Sequence, residues 1–260
     1  MLVQELIHIL EEQAPENDAM DWDNSGLLVG NPEAQVHKIY IALDATDEVI
    51  DHAIEAGADM ILTHHPMIFT GMKQIRQDHF IGRRIIKLIE HHMACYAMHT
   101  NFDIHGMGDL AAEKLGLLNV QVLDIGMMED MVCRGIGCVG TLESVISLGE
   151  LANRTREAFG VSHVKVFGDA TQKITRIAIS PGSGKSEIIT AIEQHADVLI
   201  TGDIDHHDGI DAVAQELMII DAGHYGIEHI FIDYMKQYLE EHASEIEVEQ
   251  EQFQEPFWIV

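Results

Sequence analysis

Residues 38–65, KIYIALDATDEVIDHAIEAGADMILTHH, can be laid without a gap on residues 176–203, RIAISPGSGKSEIITAIEQHADVLITGD, at a constant offset of 138. The two stretches share Ile39/Ile177, Ile41/Ile179, Ala53/Ala191, Ile54/Ile192, Glu55/Glu193, Ala58/Ala196, Asp59/Asp197 and Thr63/Thr201. Each reads as strand, turn, helix, strand: KIYIAL alternates, EVIDHAIEAGA carries apolar residues at helical spacing, and ADMILT is a short apolar run suited to a buried parallel strand. Shared apolar positions could arise in any two βαβ units. The common A-D-x-x-x-T ending points instead to an internal duplication.

The parallel continues downstream. After the first copy, a helix over roughly 80–91 leads to the strand MACYAM and then to His99 and Asp103. After the second, the helix GIDAVAQEL leads to the strand MIIDAG and then to His224 and Glu228. Strands alternating with helices predict an α/β fold of two related halves with mostly parallel sheets. Residues 131–169 read as strand, helix and strand and enlarge the second half. The expected domains are 1–130 with 221–260, carrying most of the candidate ligands, and 131–220. The alternating IEVEQEQ near the C-terminus reads as an exposed edge strand whose glutamates discourage pairing with other chains.

Composition narrows the function classes. A chain of 260 residues that is 47% hydrophobic is long enough to bury a proper core. Its formal net charge of −29 repels phosphate backbones and anionic lipid, so nucleic acid and membrane are poor partners, and cations are better ones. The acidic, helix-like start is not a signal peptide, and no apolar stretch approaches the length of a membrane span. Three cysteines without a C-x-x-C pair fit a reducing cytoplasm and buried thiols. Cys133 and Cys138 read as core rather than redox groups.

In open α/β sheets, ligands bind beyond the carboxyl ends of the strands. His64, His65, His99, Asp103, His224 and Glu228 all follow expected strands. Imidazole and carboxylate together suit Zn, Fe, Mn, Co or Ni better than Ca or Mg. Adjacent histidines leaving a strand point in different directions, so each could serve one of two metals, bridged by a carboxylate such as Asp103 or Glu228. Paired metals sit ~3.5–4 Å apart. The opposing reading is that 17 histidines make chance pairs common. His91-His92 is such a pair, at the end of an expected helix where it suits the helix dipole.

Five motifs in order, WDNSGLLVG (22–30), ADMILTHHPMIF, MHTNFD, ITGDIDHH and DAGHYGIE, resemble the NIF-three-like family, known as GTP cyclohydrolase type 2 homologues. The resemblance spans nearly the whole chain. It implies two related α/β domains, a toroidal homohexamer, and two divalent metals held by His64, His65, Asp103, His224 and Glu228. The expected function is a metal-dependent hydrolase acting on a small anionic or nucleotide-like substrate, with water as nucleophile and His99 or His207 moving protons. The alternative is a non-catalytic metal-binding scaffold or regulatory ring.

Other residues stay open. His99 is an acid/base, a group that orients a ligand, or a structural histidine. Asp203, His206 and His207 line a site mouth or form a polar loop. Asp23, Asn24 and Gly26 read as a turn with a helix cap more readily than as substrate contacts. Asp44, which ends the first strand and is replaced by Gly182 in the second copy, orients a ligand histidine or serves in a turn or as a helix N-cap. PGSGKS fails as a phosphate-binding loop because the required first glycine is Ile179.

Overall fold

A computed structural model of the chain describes residues 1–129 and 132–260. The expected boundary at 130/131 lies outside the described residues. The chain divides into two compact units: Met1–Phe102 with Phe231–Phe253, and Asp103–Ile230 with Gln254–Val260.

The first unit opens with α1 (Val3–Gln13), whose Val3, Leu6 and Leu10 are buried, and continues through β1 (Gly26–Val29), β2 (Lys38–Ala42), α2 (Asp47–Glu55), β3 (Met60–Thr63), α3 (Phe80–Glu90), β4 (Ala94–Ala97) and the single turn α4 (Thr100–Phe102). Thr46 caps α2, its hydroxyl accepting from the Val49 amide at 3.1 Å. The second unit runs through α5 (Gly108–Leu115), β5 (Leu118–Glu129), β6 (Val132–Ser147), α6 (Leu148–Ala158), β7 (Lys165–Phe167), β8 (Lys173–Ser183), α7 (Ile188–Glu193), β9 (Val198–Gly202), α8 (His206–Ala214), β10 (Met218–Asp221) and α9 (His224–Glu228). The chain then returns to the first unit through α10 (Ile230–His242) and β11 (Glu247–Gln250).

The two sheets share a plan. In the first the order is β1-β4-β3-β2-β11, and in the second β5-β6-β8-β9-β10-β7. In each, three parallel strands form the centre (β4-β3-β2 and β10-β9-β8), two from the repeated stretch and the third from the next strand downstream of it, and one flank adds an antiparallel strand, β1 or β7. The other flank differs. β11 joins β2 in parallel, whereas the antiparallel hairpin β5–β6 extends the second sheet from β8. The edge strand expected at the C-terminus is β11, and its Glu247 and Glu249 hold Lys38 of β2 at 2.7 and 2.9 Å.

Hydrogen bonding explains why the duplicated letters include D and T. The Asp59 carboxylate accepts from the His37 and Lys38 amides at 2.7 and 3.1 Å, and the Asp197 carboxylate from the Thr175 and Arg176 amides at 2.7 and 2.8 Å. Each aspartate thus ties the start of one central strand to the next. Thr63 donates its hydroxyl to the His65 carbonyl at 2.8 Å, and Thr201 to the Gly182 carbonyl at 3.3 Å, so both threonines brace the strand ends where the candidate ligands lie. Asp197→Ala leaves two strand amides without their acceptor. The expected cost is about 1–3 kcal/mol, to be read as a lowered midpoint in urea unfolding.

Ile61, Val49, Ile50 and Leu88 pack on one side of the first sheet, and Leu123, Val139, Ala178, Leu199 and Ile219 form the corresponding core of the second. Among the described residues, no helix is long and apolar enough to cross a membrane.

Candidate metal centre

In the first unit, His64 and His65 leave the end of β3 just after Thr63. His64 is fully buried, and its Nδ1 lies 2.7 Å from the Met98 carbonyl oxygen. A carbonyl can only accept, so Nδ1 carries the proton and Nε2 keeps its lone pair. His65 is set the same way by the Asp44 carboxylate, 3.1 Å from its Nδ1. His99, two residues beyond β4, places Nδ1 2.7 Å from Asp23 Oδ1. The three rings lie 5.0 to 5.5 Å apart, centroid to centroid. Each offers a nitrogen, and these atoms lie within 4.8 Å of one another. Imidazoles with tautomers fixed by carbonyl and carboxylate partners can hold a metal ion or, where the free nitrogen binds none, exchange a proton.

Asp23 exceeds the turn and cap read from the sequence. Its side chain has no solvent exposure. Besides His99, it accepts from the Asn24 amide at 2.7 Å, the Ser25 hydroxyl at 3.0 Å, and the Thr100 amide and hydroxyl at 3.0 and 2.6 Å. Burial alone would raise its pKa. Hydrogen bonds from His99 and Thr100, with the charge of His99, outweigh that and hold the carboxyl well below the usual carboxylate range. The sequence separation of 76 between Asp23 and His99 leaves no local signal of this pair.

In the second unit, His224 and Glu228 share one face of α9. His224 Nε2 lies 3.0 Å from Glu228 Oε2, and its Nδ1 lies 2.8 Å from Asp203 Oδ2. Glu228 is buried and His224 half-buried. Asp203 follows β9 with φ 57°, a left-handed conformation that aims its carboxylate at His224. Asp203 therefore orients a candidate ligand, a role that polar-loop composition alone did not reveal.

Two glycines make room for this pair. A Cβ at Gly182 would collide with Glu228 Oε1, and a Cβ at Gly202 would lie 2.5 Å from the His224 amide nitrogen. That accounts for the replacement of Asp44 by Gly182: where the first unit has a carboxylate orienting a histidine, the second has space filled by the Glu228 carboxylate.

Asp103 opens a π-helical turn, Asp103–Met107, between α4 and α5. Such turns insert one extra residue into a helix and recur at functional sites. His206 and His207 begin α8, both exposed, with their rings 5.1 Å apart edge to face. Lys185 of the PGSGKS stretch pairs with Asp208 at 2.7 Å, and a Cβ at Gly184 would strike Thr201, so this segment packs closely and is no phosphate cradle. Cys138 is buried and donates to the Gly108 carbonyl, and burial pushes its thiol up to about 12. Cys95 is likewise buried and raised to about 12. Neither supplies a thiolate at neutral pH.

The relatives agree with this reading of the fold. A Clostridium acetobutylicum protein named GTP cyclohydrolase 1 type 2 homolog is 37% identical over 240 residues, covering 92% of this chain and 89% of its own. A Streptococcus pneumoniae protein of the same name is 34% identical over 239 residues, covering 90% and 88%. Among solved structures, a Bacillus cereus protein related to NIF3 matches with a TM-score of 0.94 at 26% identity, covering 100% of this chain and 99% of that one. Reduced HcgD from Methanocaldococcus jannaschii matches with a TM-score of 0.84 at 30% identity, covering 97% and 98%. A family model described as Duf34/NIF3 (NGG1p interacting factor 3) matches residues 1–256, and the chain belongs to that family.

Proposed function

We propose that the chain is a cytoplasmic, metal-dependent hydrolase of a small anionic, nucleotide-like substrate, with two divalent metal ions held by His64, His65, Asp103, His224 and Glu228. The observation that carries this reading is the fixed tautomer of His64 and His65, whose Nδ1 atoms are committed to Met98 and Asp44. The donor set fits such ions: neutral imidazole nitrogens and carboxylate oxygens suit Zn, Fe, Mn, Co or Ni, and the glycines at 182 and 202 leave room for the second unit's pair. Bound dications supply Lewis acidity and lower the pKa of water to ~7.

The chain's own residues do the rest. Asp44 and Asp203 orient His65 and His224. Asp23 holds the His99 ring with Nε2 as its basic nitrogen, so His99 takes a proton from the attacking water and returns it to the leaving group. His207, exposed in the first turn of α8, is the second candidate for that transfer. The relatives' name supports a purine nucleotide as the first substrate to test. The assay incubates metal-loaded protein with GTP, other nucleotides and phosphoesters, beside a chelated sample and the Glu228→Gln variant. Turnover is expected only in the loaded, unsubstituted protein. Turnover that survives both treatments sinks the assignment, and bound metal without turnover on any substrate favours the scaffold alternative.

The family resemblance supports a homohexameric ring. Light scattering is expected to give a mass near six chains; a stable monomer of 29.0 kDa refutes the ring.

A further inference from the structure

We propose that Trp22 and Phe69 form a stacking platform for the flat ring of a nucleobase, with Lys73 meeting the phosphates of the same nucleotide. The inference rests on the nucleotide-hydrolase reading above and assigns its substrate subsite within the first unit. Trp22 and Phe69 are 59% and 56% exposed. Single exposed apolar residues are ordinary on protein surfaces. This pair differs in its placement. The two rings touch at 5.8 Å, and each also lies against the His99 imidazole, at 6.0 and 6.4 Å. The rings are too close together to sandwich a ligand, so a base would stack on their outer faces.

The platform is anchored. Asn24 donates its side-chain amide to the Ile68 carbonyl at 2.5 Å, tying the turn that carries Trp22 to the segment that carries Phe69. His99 beneath it is held by the buried Asp23. Phe69 also lines a cavity of about 780 Å³ together with Met67, Lys73, Arg76 and Phe80, a size that admits a nucleotide. Arg76 is engaged by Asp78 at 2.6 and 2.9 Å. Lys73 is exposed and has no ion-pair partner among the described residues. In a chain with 15 basic against 44 acidic residues, a cation left open in an aromatic-lined cavity marks a place for anionic groups. Aromatic faces bind any base by stacking, and a neighbouring cation selects phosphorylated forms.

The chain has two tryptophans, so Trp258→Phe leaves Trp22 as the only indole reporter. In that background, GTP and guanosine are expected to quench Trp22 fluorescence, and inorganic triphosphate to leave it unchanged. Phe69→Leu should weaken both by about tenfold or more, the range set by base–aromatic stacking. Phe69→Tyr should retain binding. Lys73→Ala should weaken GTP and spare guanosine. Guanosine binding should persist after chelation. A Phe69→Leu variant that binds GTP and guanosine unchanged, or quenching by triphosphate equal to that by GTP, overturns the platform. If stacking survives while no nucleotide is hydrolysed, the hydrolase reading falls and the subsite stands. If metal-dependent turnover survives with no stacking signal, the reverse holds.

Discussion

His65→Ala is expected to strip metal from the protein, while His91→Ala leaves the metal content unchanged. The two substitutions remove the same side chain from two His-His pairs that differ in setting. His65 follows a central strand, with its Nδ1 proton committed to Asp44 and its ring 5.0 Å from that of His64. His91 is the exposed C-cap of α3, where a histidine does no more than suit the end of a helix. Loss of a group that only orients a ligand costs about 10–100-fold in metal affinity, so loss of the ligand itself should cost at least that much. Elemental analysis of protein purified without chelator checks the content. Thermal melts add an independent readout. A metal present at 100 times its Kd stabilises the folded state by about 2.7 kcal/mol, so adding metal should raise the melting temperature of the parent and of His91→Ala but not of His65→Ala. Equal losses from the two variants, or none from either, would sink the centre.

The parts of the fold written twice were legible in the sequence. The 138-residue offset brought Asp59 onto Asp197 and Thr63 onto Thr201; the aspartates make the same bonds in each unit, and each threonine bonds a carbonyl at its sheet's strand ends, though not the equivalent one. The hairpin strand β5 was not legible. Leu118, Val120, Ile125 and Met128 along it are exposed, so apolar residues fall on its open face and blur the alternation that marks a half-buried strand. The π-helical turn at Asp103 leaves no mark in an apolar pattern either. The downstream alignment needs an adjustment of one residue. Met98 and Ala222 both donate to the threonine carbonyls of the repeated motif, which places His99 opposite Gly223 rather than His224.

For the candidate site, the histidines and carboxylates beyond the strand ends stood out because strand ends are where α/β sheets bind ligands. Among the groups that set their tautomers, Asp44 stood out as a residue that orients a histidine or forms a turn or cap, and Asp23 and Asp203 did not. Asp44 and Asp203 each lie 21 residues before the histidine they orient, and Asp23 lies 76 before His99, joined to it only by the folded backbone. Contacts over such separations leave no period in the sequence.

Asp23→Asn is expected to lower turnover about 10²–10⁴-fold while leaving bound metal in place. The size follows other histidine–aspartate pairs in which the same change puts the imidazole in the wrong tautomer. The geometry here admits that outcome. One oxygen of Asp23 accepts from the Thr100 amide, a group that can only donate. Oδ1 likewise accepts from the Asn24 amide, so an asparagine leaves one backbone amide facing its NH2 in either orientation. In the one that keeps the Thr100 amide bond, the NH2 faces His99 Nδ1 and the Asn24 amide, which Asp23 Oδ1 contacts at 2.7 Å each. An NH2 facing Nδ1 makes that nitrogen an acceptor, moves the ring proton to Nε2, and removes the lone pair that takes a proton from water. The facing Asn24 amide adds a donor–donor clash, so some loss of stability accompanies the change. Nitrogen NMR of the His99 ring separates the two effects, because a purely structural role for Asp23 would lower the melting temperature without moving the proton. The double variant Asp23→Asn/His99→Ala should turn over no more slowly than His99→Ala alone, since residues acting as one unit are not additive. Unchanged turnover in a fully folded Asp23→Asn whose His99 ring proton has moved to Nε2 would remove His99 from the chemistry.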